Sequence, residues 1–311
     1  MSVLISRFPV HTLEHQQLLP AGEKLSGETL DALISSRKTI SFDSLSLLQH
    51  GSVKEDILTF LATPPCHIIF SDPQKVKELL NLMDTVHLAL PFLQSLDYFK
   101  QYDFYTYRHI LMVFAFSTLL AKDLLPDYKD WIQQAATGPT HDFGKVCVPL
   151  EILKKSTPLT RTERSIIEHH TTAGYALLCY YLGDPLHPAA RVARDHHERK
   201  DASGYPRGVS LMDLLVEIIS VADIYDALIS PRPYRVASYD NRTALEEITS
   251  LAEQNKISWD VVRALVAHNR KEKPHFSQCD VSYEKRGRPP QGNVHGIIAE
   301  DTEGTQPKNP L

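Results

Sequence analysis

The sequence predicts a mainly α-helical chain, a C-terminal helical bundle preceded by a small α/β module. From Pro73 onward, apolar residues recur at spacings of three and four, the period of a helix face. No alternating apolar and polar run, the mark of a half-buried strand, intrudes after residue 75. Before about residue 65 the chain instead mixes short β-like and turn-like pieces.

Taken in order, Leu18-Leu19-Pro20-Ala21-Gly22 reads as a strand running into a turn. Ser26-Gly27-Glu28-Thr29 then opens an amphipathic helix with Leu30, Leu33 and Ile34 on one face. Ile57 to Leu61 and His67 to Phe70 are further short apolar runs. After Pro73 the positions Val76, Leu79, Leu80 and Met83 keep helical spacing, and Pro91 bends or restarts the helix. Residues 104–124 form a strong helical segment carrying Tyr107, Ile110, Leu111, Phe114 and Leu119. Further helices are expected over 161–181, 188–198, 211–229, 242–254 and 259–269, separated by Pro, Gly and Asp clusters. From about Gln278 the chain turns polar and rich in Gly and Pro, and a mobile or loosely docked tail is expected. The domain boundaries that follow are an N-terminal module over 1–72, a helical linker over 73–100, a helical domain over 101–277 and the tail over 278–311.

The 311 residues, 42% hydrophobic and 23% charged, suffice for two domains around a sizeable core. A net charge of −5 argues against a broad nucleic-acid surface, so DNA is not expected as a partner. No apolar stretch is long enough for a membrane span, and the N-terminus lacks the pattern of a secretory signal. The cysteines Cys66, Cys147, Cys179 and Cys279 are widely spaced, which suits a reducing cytoplasm rather than a disulfide scaffold. The anomaly is 15 histidines, seven of them between positions 109 and 197.

His109, His141-Asp142, His170, His196-His197 and Asp223 each lie on or beside an apolar helical stretch. Buried imidazoles and carboxylates there must be hydrogen-bonded, paired or metal-bound, because a desolvated lone charge costs several kcal/mol. Each alone has a structural explanation; a single histidine on an apolar face is more often a satisfied core residue. Their joint occurrence, with Lys145 beside the second cluster, points to a metal site. Imidazole and carboxylate donors without thiolates favour first-row ions. Two ions about 3.5–4 Å apart can act together on a phosphoryl oxygen, with Asp142 placed to bridge them. Lys145, four residues after His141, is expected on nearly the same helix face, where it can neutralise developing phosphate charge. Spacing to Gly174 favours His170 over His169, and His169 is expected to be solvated.

His141-Asp142-Phe143-Gly144-Lys145 matches an HDxGK motif, and residues 196–206, His196-His197-Glu198 through Gly204-Tyr205-Pro206, match HHExxDGxGYP with one departure. With Val221-Ala222-Asp223-Ile224-Tyr225-Asp226-Ala227-Leu228 and Arg232-Pro233-Tyr234-Arg235, the chain resembles the HD-GYP proteins, a bacterial branch of the HD phosphohydrolases that degrades cyclic di-GMP. The resemblance covers roughly residues 100 to 270. It implies an HD-type helical bundle and a cytoplasmic signalling enzyme that converts cyclic di-GMP to pGpG, and on to GMP, through a metal-bridging hydroxide. By the same resemblance, His109, His141, Asp142 and Asp223 hold one ion; Asp142, His170, His196 and His197 hold a second. Lys145 contacts the scissile phosphate, Arg232 and Arg235 grip the substrate's phosphates, and Tyr205 belongs to a loop for substrate access and partner docking. Iron is the expected metal, manganese the alternative, and a diguanylate cyclase of the GGDEF type a candidate partner.

Several positions depart from the family pattern. Tyr105 stands where some relatives place a Glu for a third ion, so two ions are expected. Ala202 replaces a Gly, Lys200 an aromatic residue, and Gly138-Pro139-Thr140 the usual apolar approach to the HD pair. These substitutions leave open a weakly active binding or sensor module that docks a diguanylate cyclase or another partner, and a His-rich di-iron centre, able to change oxidation state, leaves open a redox or oxygen sensor. The residues leave the oligomeric state open.

Overall fold

The computed structural model describes residues 4–37, 44–235 and 237–300. Strand β1 (Val10–His11) pairs antiparallel with β2 (Gln17–Leu19), the strand expected before the Pro20 turn. Ser26 caps α1 (Gly27–Ser35) by accepting the Thr29 N–H at 3.1 Å, and the helix buries Leu30 and Leu33. The runs at 57–61 and 67–70 are helical, in α2 (Val53–Ala62) and α3 (Cys66–Ile69). Short apolar runs do not by themselves distinguish helix from strand.

α4 (Pro73–Asp84) starts at Asp72, whose carboxylate accepts the Gln74 N–H at 2.9 Å, with Pro73 in the first turn where its missing N–H costs nothing. A strand then appears where none was expected. β3 (Ser44–Ser46) pairs antiparallel with β4 (His87–Ala89), Leu45 opposite Leu88. Three residues are too few to show an alternating pattern. This pairing also ties residues on either side of position 72 into one small sheet. Pro91 sits in the first turn of α5 (Leu90–Tyr102), restarting the helix rather than bending it.

α6 (Phe104–Leu124) is the axis of the bundle, with a continuous buried run from His109 to Ala121. α2, α4, α5, α7 (Tyr128–Thr137), α12 (Leu214–Ile229) and α14 (Trp259–His268) pack around it. A helix apolar on all sides belongs in a core. After α7 a 3₁₀ turn over Gly138–Thr140 and a second over Phe143–Cys147 flank the HD pair, and α8 (Leu150–Leu153) follows. The single helix expected over 161–181 is divided at His169 into α9 (Arg161–Glu168), opened by a Thr160/Glu163 capping box, and α10 (His170–Leu182). α11 (Pro188–Asp195) and α13 (Asn241–Glu253) complete the bundle. Among the described residues no helix is long and apolar enough to cross a membrane.

The polar tail is more firmly placed than its composition suggests. The Gly287 N–H donates to Glu246 at 2.7 Å, Val294 N–H to the Tyr234 carbonyl at 3.2 Å, and Ala299 N–H to the Leu159 carbonyl at 2.9 Å. Backbone donors satisfied by the bundle hold residues 286–300 along its surface, a device that hydropathy does not reveal; residues 301–311 lie outside the described residues.

Asp56 of α2 joins the N-terminal part to the axis. Its Oδ2 accepts from Tyr107 on α6 and from Lys100 on α5, both at 2.6 Å, and from Ser52 at 2.8 Å. Burial pushes this carboxyl up, but the three hydrogen bonds outweigh it and hold the group below the usual carboxylate range. A depressed folded pKa means stability that is present above the unfolded value of about 3.9 and is lost as pH falls through the folded value. Asp56→Asn is therefore expected to cost about 1–2 kcal/mol at neutral pH. In urea titrations repeated at decreasing pH, the gap from the parent should close below about pH 4.

Candidate metal centre

The residues singled out along the chain converge on one buried point, with Asp142 at its middle. Asp142 Oδ2 lies 3.5 Å from His109 Nε2 and 3.3 Å from His141 Nε2. Its other oxygen, Oδ1, lies 3.4 Å from His170 Nε2 and 3.9 Å from His196 Nε2. One carboxylate thus faces two histidine groups, one oxygen to each. Asp223 on α12 places Oδ1 3.0 Å from His109 Nε2 and Oδ2 3.9 Å from His197 Nδ1. The donor atoms of His109, His141 and Asp223 lie within 4.8 Å of one another, as do those of His170, His196 and His197.

Local backbone geometry aims these rings. His141 Nδ1 donates to the Gly138 carbonyl at 2.7 Å and His170 Nδ1 to the Ile167 carbonyl at 2.6 Å. His196 Nδ1 reaches the Val192 and Ala193 carbonyls, both at 3.1 Å. A carbonyl only accepts, so each Nδ1 carries the proton and each Nε2 presents a lone pair to the centre. Glycine permits the approach. A Cβ on Gly144 would sit 1.9 Å from the His170 carbonyl oxygen and 2.4 Å from the Gly174 nitrogen, so the HD turn rests directly on α10. Gly138 likewise lets the entering turn close on Phe114 and Ser117 of α6.

The electrostatics suit cation binding. Burial pushes the His170 imidazole down to about 4, and burial with the neighbouring His141 and His170 pushes His196 to about 3. Burial opposes the charge on Asp142, yet the Lys145 ammonium beside it holds the carboxyl well below the carboxylate range. His141 Nε2 is buried without a hydrogen-bond partner, and the Nε2 atoms of His170 and His196 face each other at 3.3 Å. Two lone pairs so placed repel unless a cation lies between them. The donor set of imidazole and carboxylate fits a first-row metal ion.

Lys145 stands on the 3₁₀ turn rather than on a regular helix, its Nζ 2.6 Å from Asp142 Oδ2. Tyr205 stacks on His197 at 4.6 Å between ring centroids. Arg232 Nη2 lies 2.9 Å from His109 Nδ1. Arg235 differs from its expected role: its Nη2 donates to the carbonyls of Ala227, Leu228 and Ser230, capping the end of α12 instead of facing a ligand. His169 is buried, not solvated, with the Phe8 ring packed at 5.6 Å against its imidazole. The N-terminal segment covers that side of α9 and α10, and a helix-face reading sees no such cover.

Asp226, which the sequence offers as a helix cap or a partner for Arg232, lies 3.8 Å from Arg232 and has a further role at His109. Fully buried, it accepts the His109 Nδ1 proton at Oδ2 over 2.7 Å and pairs with Arg108 at 3.0 Å. Burial is outweighed by His109 and Arg108, which set its pKa at about 2. Its position three residues after Asp223, on the same helix face, was the available signal. Glu198 is equally hidden. It accepts the backbone N–H groups of Arg207 and Val209 at 2.7 and 3.0 Å and so shapes the loop carrying Tyr205.

Residues 84–260 match the family model described as HD domain. A cyclic di-GMP phosphodiesterase of Thermotoga maritima is 38% identical over 148 residues, 46% of this chain and 40% of that protein. A cyclic di-GMP phosphodiesterase of Pseudomonas aeruginosa is 37% identical over 169 residues, 52% of this chain and 39% of that protein. A 3′3′-cGAMP-specific phosphodiesterase of Vibrio cholerae is 39% identical over 137 residues, 43% of this chain and 29% of that protein. The chain thus matches less than half the length of these relatives. Among solved structures, an HDG"Y"P protein from Bdellovibrio bacteriovorus aligns with a TM-score of 0.41 and 16% identity, over 84% of this chain and 94% of that one.

Two outcomes follow from this geometry. Asp226→Ala removes the acceptor that orients His109 and should lower metal affinity about 10- to 100-fold in chelator competition, with helical circular dichroism retained. Ala202 sits at φ 62°, in the left-handed region that favours glycine. Ala202→Gly relieves about 1–2 kcal/mol of backbone strain and adds about 0.4–1 kcal/mol of unfolded-chain entropy. A net gain of roughly 0.5–1 kcal/mol should appear in chemical denaturation.

Proposed function

The chain belongs to the HD domain family, and from that premise we propose that it is a metal-dependent phosphodiesterase acting on cyclic di-GMP or a closely related cyclic dinucleotide. The observation that carries the proposal is the division of Asp142, one oxygen toward His109 and His141 and the other toward His170 and His196, with the Lys145 ammonium against the same carboxylate. The relatives whose names specify cyclic di-GMP and cGAMP support the substrate class.

In this reading His109, His141, Asp142 and Asp223 would hold one ion, and Asp142, His170, His196 and His197 another. When bound, the pair supplies Lewis acidity toward a phosphoryl oxygen and toward the attacking water. The protein's own groups do the rest. The Nδ1–H bonds to carbonyls fix each ring, and Asp226 fixes His109. Lys145 stabilises charge that accumulates on the phosphoryl oxygens, and Arg232, at His109 Nδ1 and near Asp226, lends positive charge from behind that ring. Arg235, spent on carbonyls, supports that turn from behind. The products are pGpG and then GMP. Iron, with manganese as the alternative, suits the nitrogen-rich donor set. The exposed tip at Asp201, Ala202 and Ser203, beside Tyr205, is the face offered to a diguanylate cyclase.

Anaerobic purification with elemental analysis, followed by chromatography of cyclic di-GMP incubated with the same sample, tests the proposal. The expected result is two ions per chain with pGpG formed, both abolished by His141→Ala. Lys145→Met should keep the metal and lower kcat about a hundredfold. Metal-loaded protein that leaves both cyclic di-GMP and cGAMP intact would overturn the phosphodiesterase reading in favour of a binding module.

A further inference from the structure

Residues of α2 and α4 line a groove of about 560 Å³ that no residue of the metal centre's ligand set borders. Its floor is apolar, with Leu48, Leu61 and Leu80 among the lining residues, and Leu58 stands 40% exposed at its lip. The outer face of α4 carries Lys77, Leu80, Asn81 and Asp84 along this groove, spacings of three, one and three that place all four on one helical stripe. A cation begins the stripe and an anion ends it, about 10.5 Å apart at 1.5 Å per residue. Neither Lys54 nor Lys77 makes an ion pair among the described residues, although both border the groove.

A stripe with opposite charges at its two ends is complementary to itself when reversed. Two copies of α4 laid antiparallel about a two-fold axis at Leu80 and Asn81 put Lys77 of each copy against Asp84 of the other. Such isologous contact is the commonest form of homodimer interface. It also removes an apolar groove from water, with the Leu58 side chain of each copy covering the other. We propose that the α2–α4 face is the two-fold interface of a homodimer, held by an apolar centre and reciprocal Lys77–Asp84 pairs. The occupant is a second copy because the charge order of the stripe matches itself in reverse.

Sedimentation velocity of the full chain tests this over a concentration series up to about 100 µM, a range that populates even weak interfaces. A concentration-dependent dimer is expected. Lys77→Glu places two like-charged pairs in the interface and should weaken it about a hundredfold. Leu58→Glu, at an exposed position, should dissociate it without changing the melting temperature of the monomer. Asp84 also accepts a hydrogen bond from Ser46 at 2.8 Å, so Asp84→Lys alone is read with a melting curve. The specific signature is rescue. The double variant Lys77→Glu/Asp84→Lys should dimerise again, and equimolar Lys77→Glu and Asp84→Lys single variants should form a mixed dimer. A wild-type monomer throughout the series, a dimer indifferent to Lys77→Glu and Leu58→Glu, or failure of both rescues would overturn the interface. So would a monomer whose melting temperature rises with added laurate, which would give the groove to an amphiphile.

Discussion

The structure is organised around one constraint, the burial of the Asp142 carboxylate among imidazoles. A desolvated carboxylate is tolerated only where opposite charge or hydrogen-bond donors surround it. Among the protein's own groups Lys145 on the 3₁₀ turn supplies the opposite charge, while His109 of α6, His170 of α10, His196 at the end of α11 and Asp223 of α12 turn donor atoms suited to a cation toward the same point. Each brings a polar group inward along an otherwise apolar face. The helices must therefore meet at this point and at fixed rotation, because turning any of them leaves a buried polar group without a counterpart.

The same economy explains the next layer outward. Every Nδ1 hydrogen bond goes to a carbonyl near a helix end or tight turn, whose second lone pair stays open beside its backbone partner, so the local turn fixes the imidazole tautomer. Arg108 and Asp226 extend it, the carboxylate oriented by one charge while orienting His109 with its other oxygen. Asp56 carries the chain of contacts to α2 through Tyr107, two residues before His109 on α6. The groove-forming helix and the metal-facing helix are thereby joined by a charged hydrogen bond rather than by apolar packing alone.

Much of this was legible along the chain. Helical periodicity located α6, α12, α13 and α14 to within a few residues because long amphipathic or apolar runs carry a strong signal. The histidines and aspartates of the centre stood out because polar groups on apolar faces demand partners. What escaped notice was set by distant contacts. Three-residue β4 exists only through its pairing with β3. His169 is covered by a segment more than 150 positions away in sequence, and the polar tail is held by backbone donors whose acceptors lie on other elements. Arg235 looked like a phosphate ligand because an arginine's charge is visible in a sequence, whereas the three carbonyls that occupy it are not.

The seat of Gly144 against the His170 carbonyl and Gly174 has a consequence for how such a chain can diverge. Side-chain bulk is forbidden there by backbone atoms, which cannot rotate away as a neighbouring side chain can. The HD turn and the first turns of α10 can therefore change only together, whereas positions outside this joint are free of that constraint. Exposed Ala202 lies outside that joint, as does half-buried Lys200, whose side chain pairs with Glu217 at 2.9 Å. Lineages can thus retune the loop by single steps while the joint beneath it stays fixed.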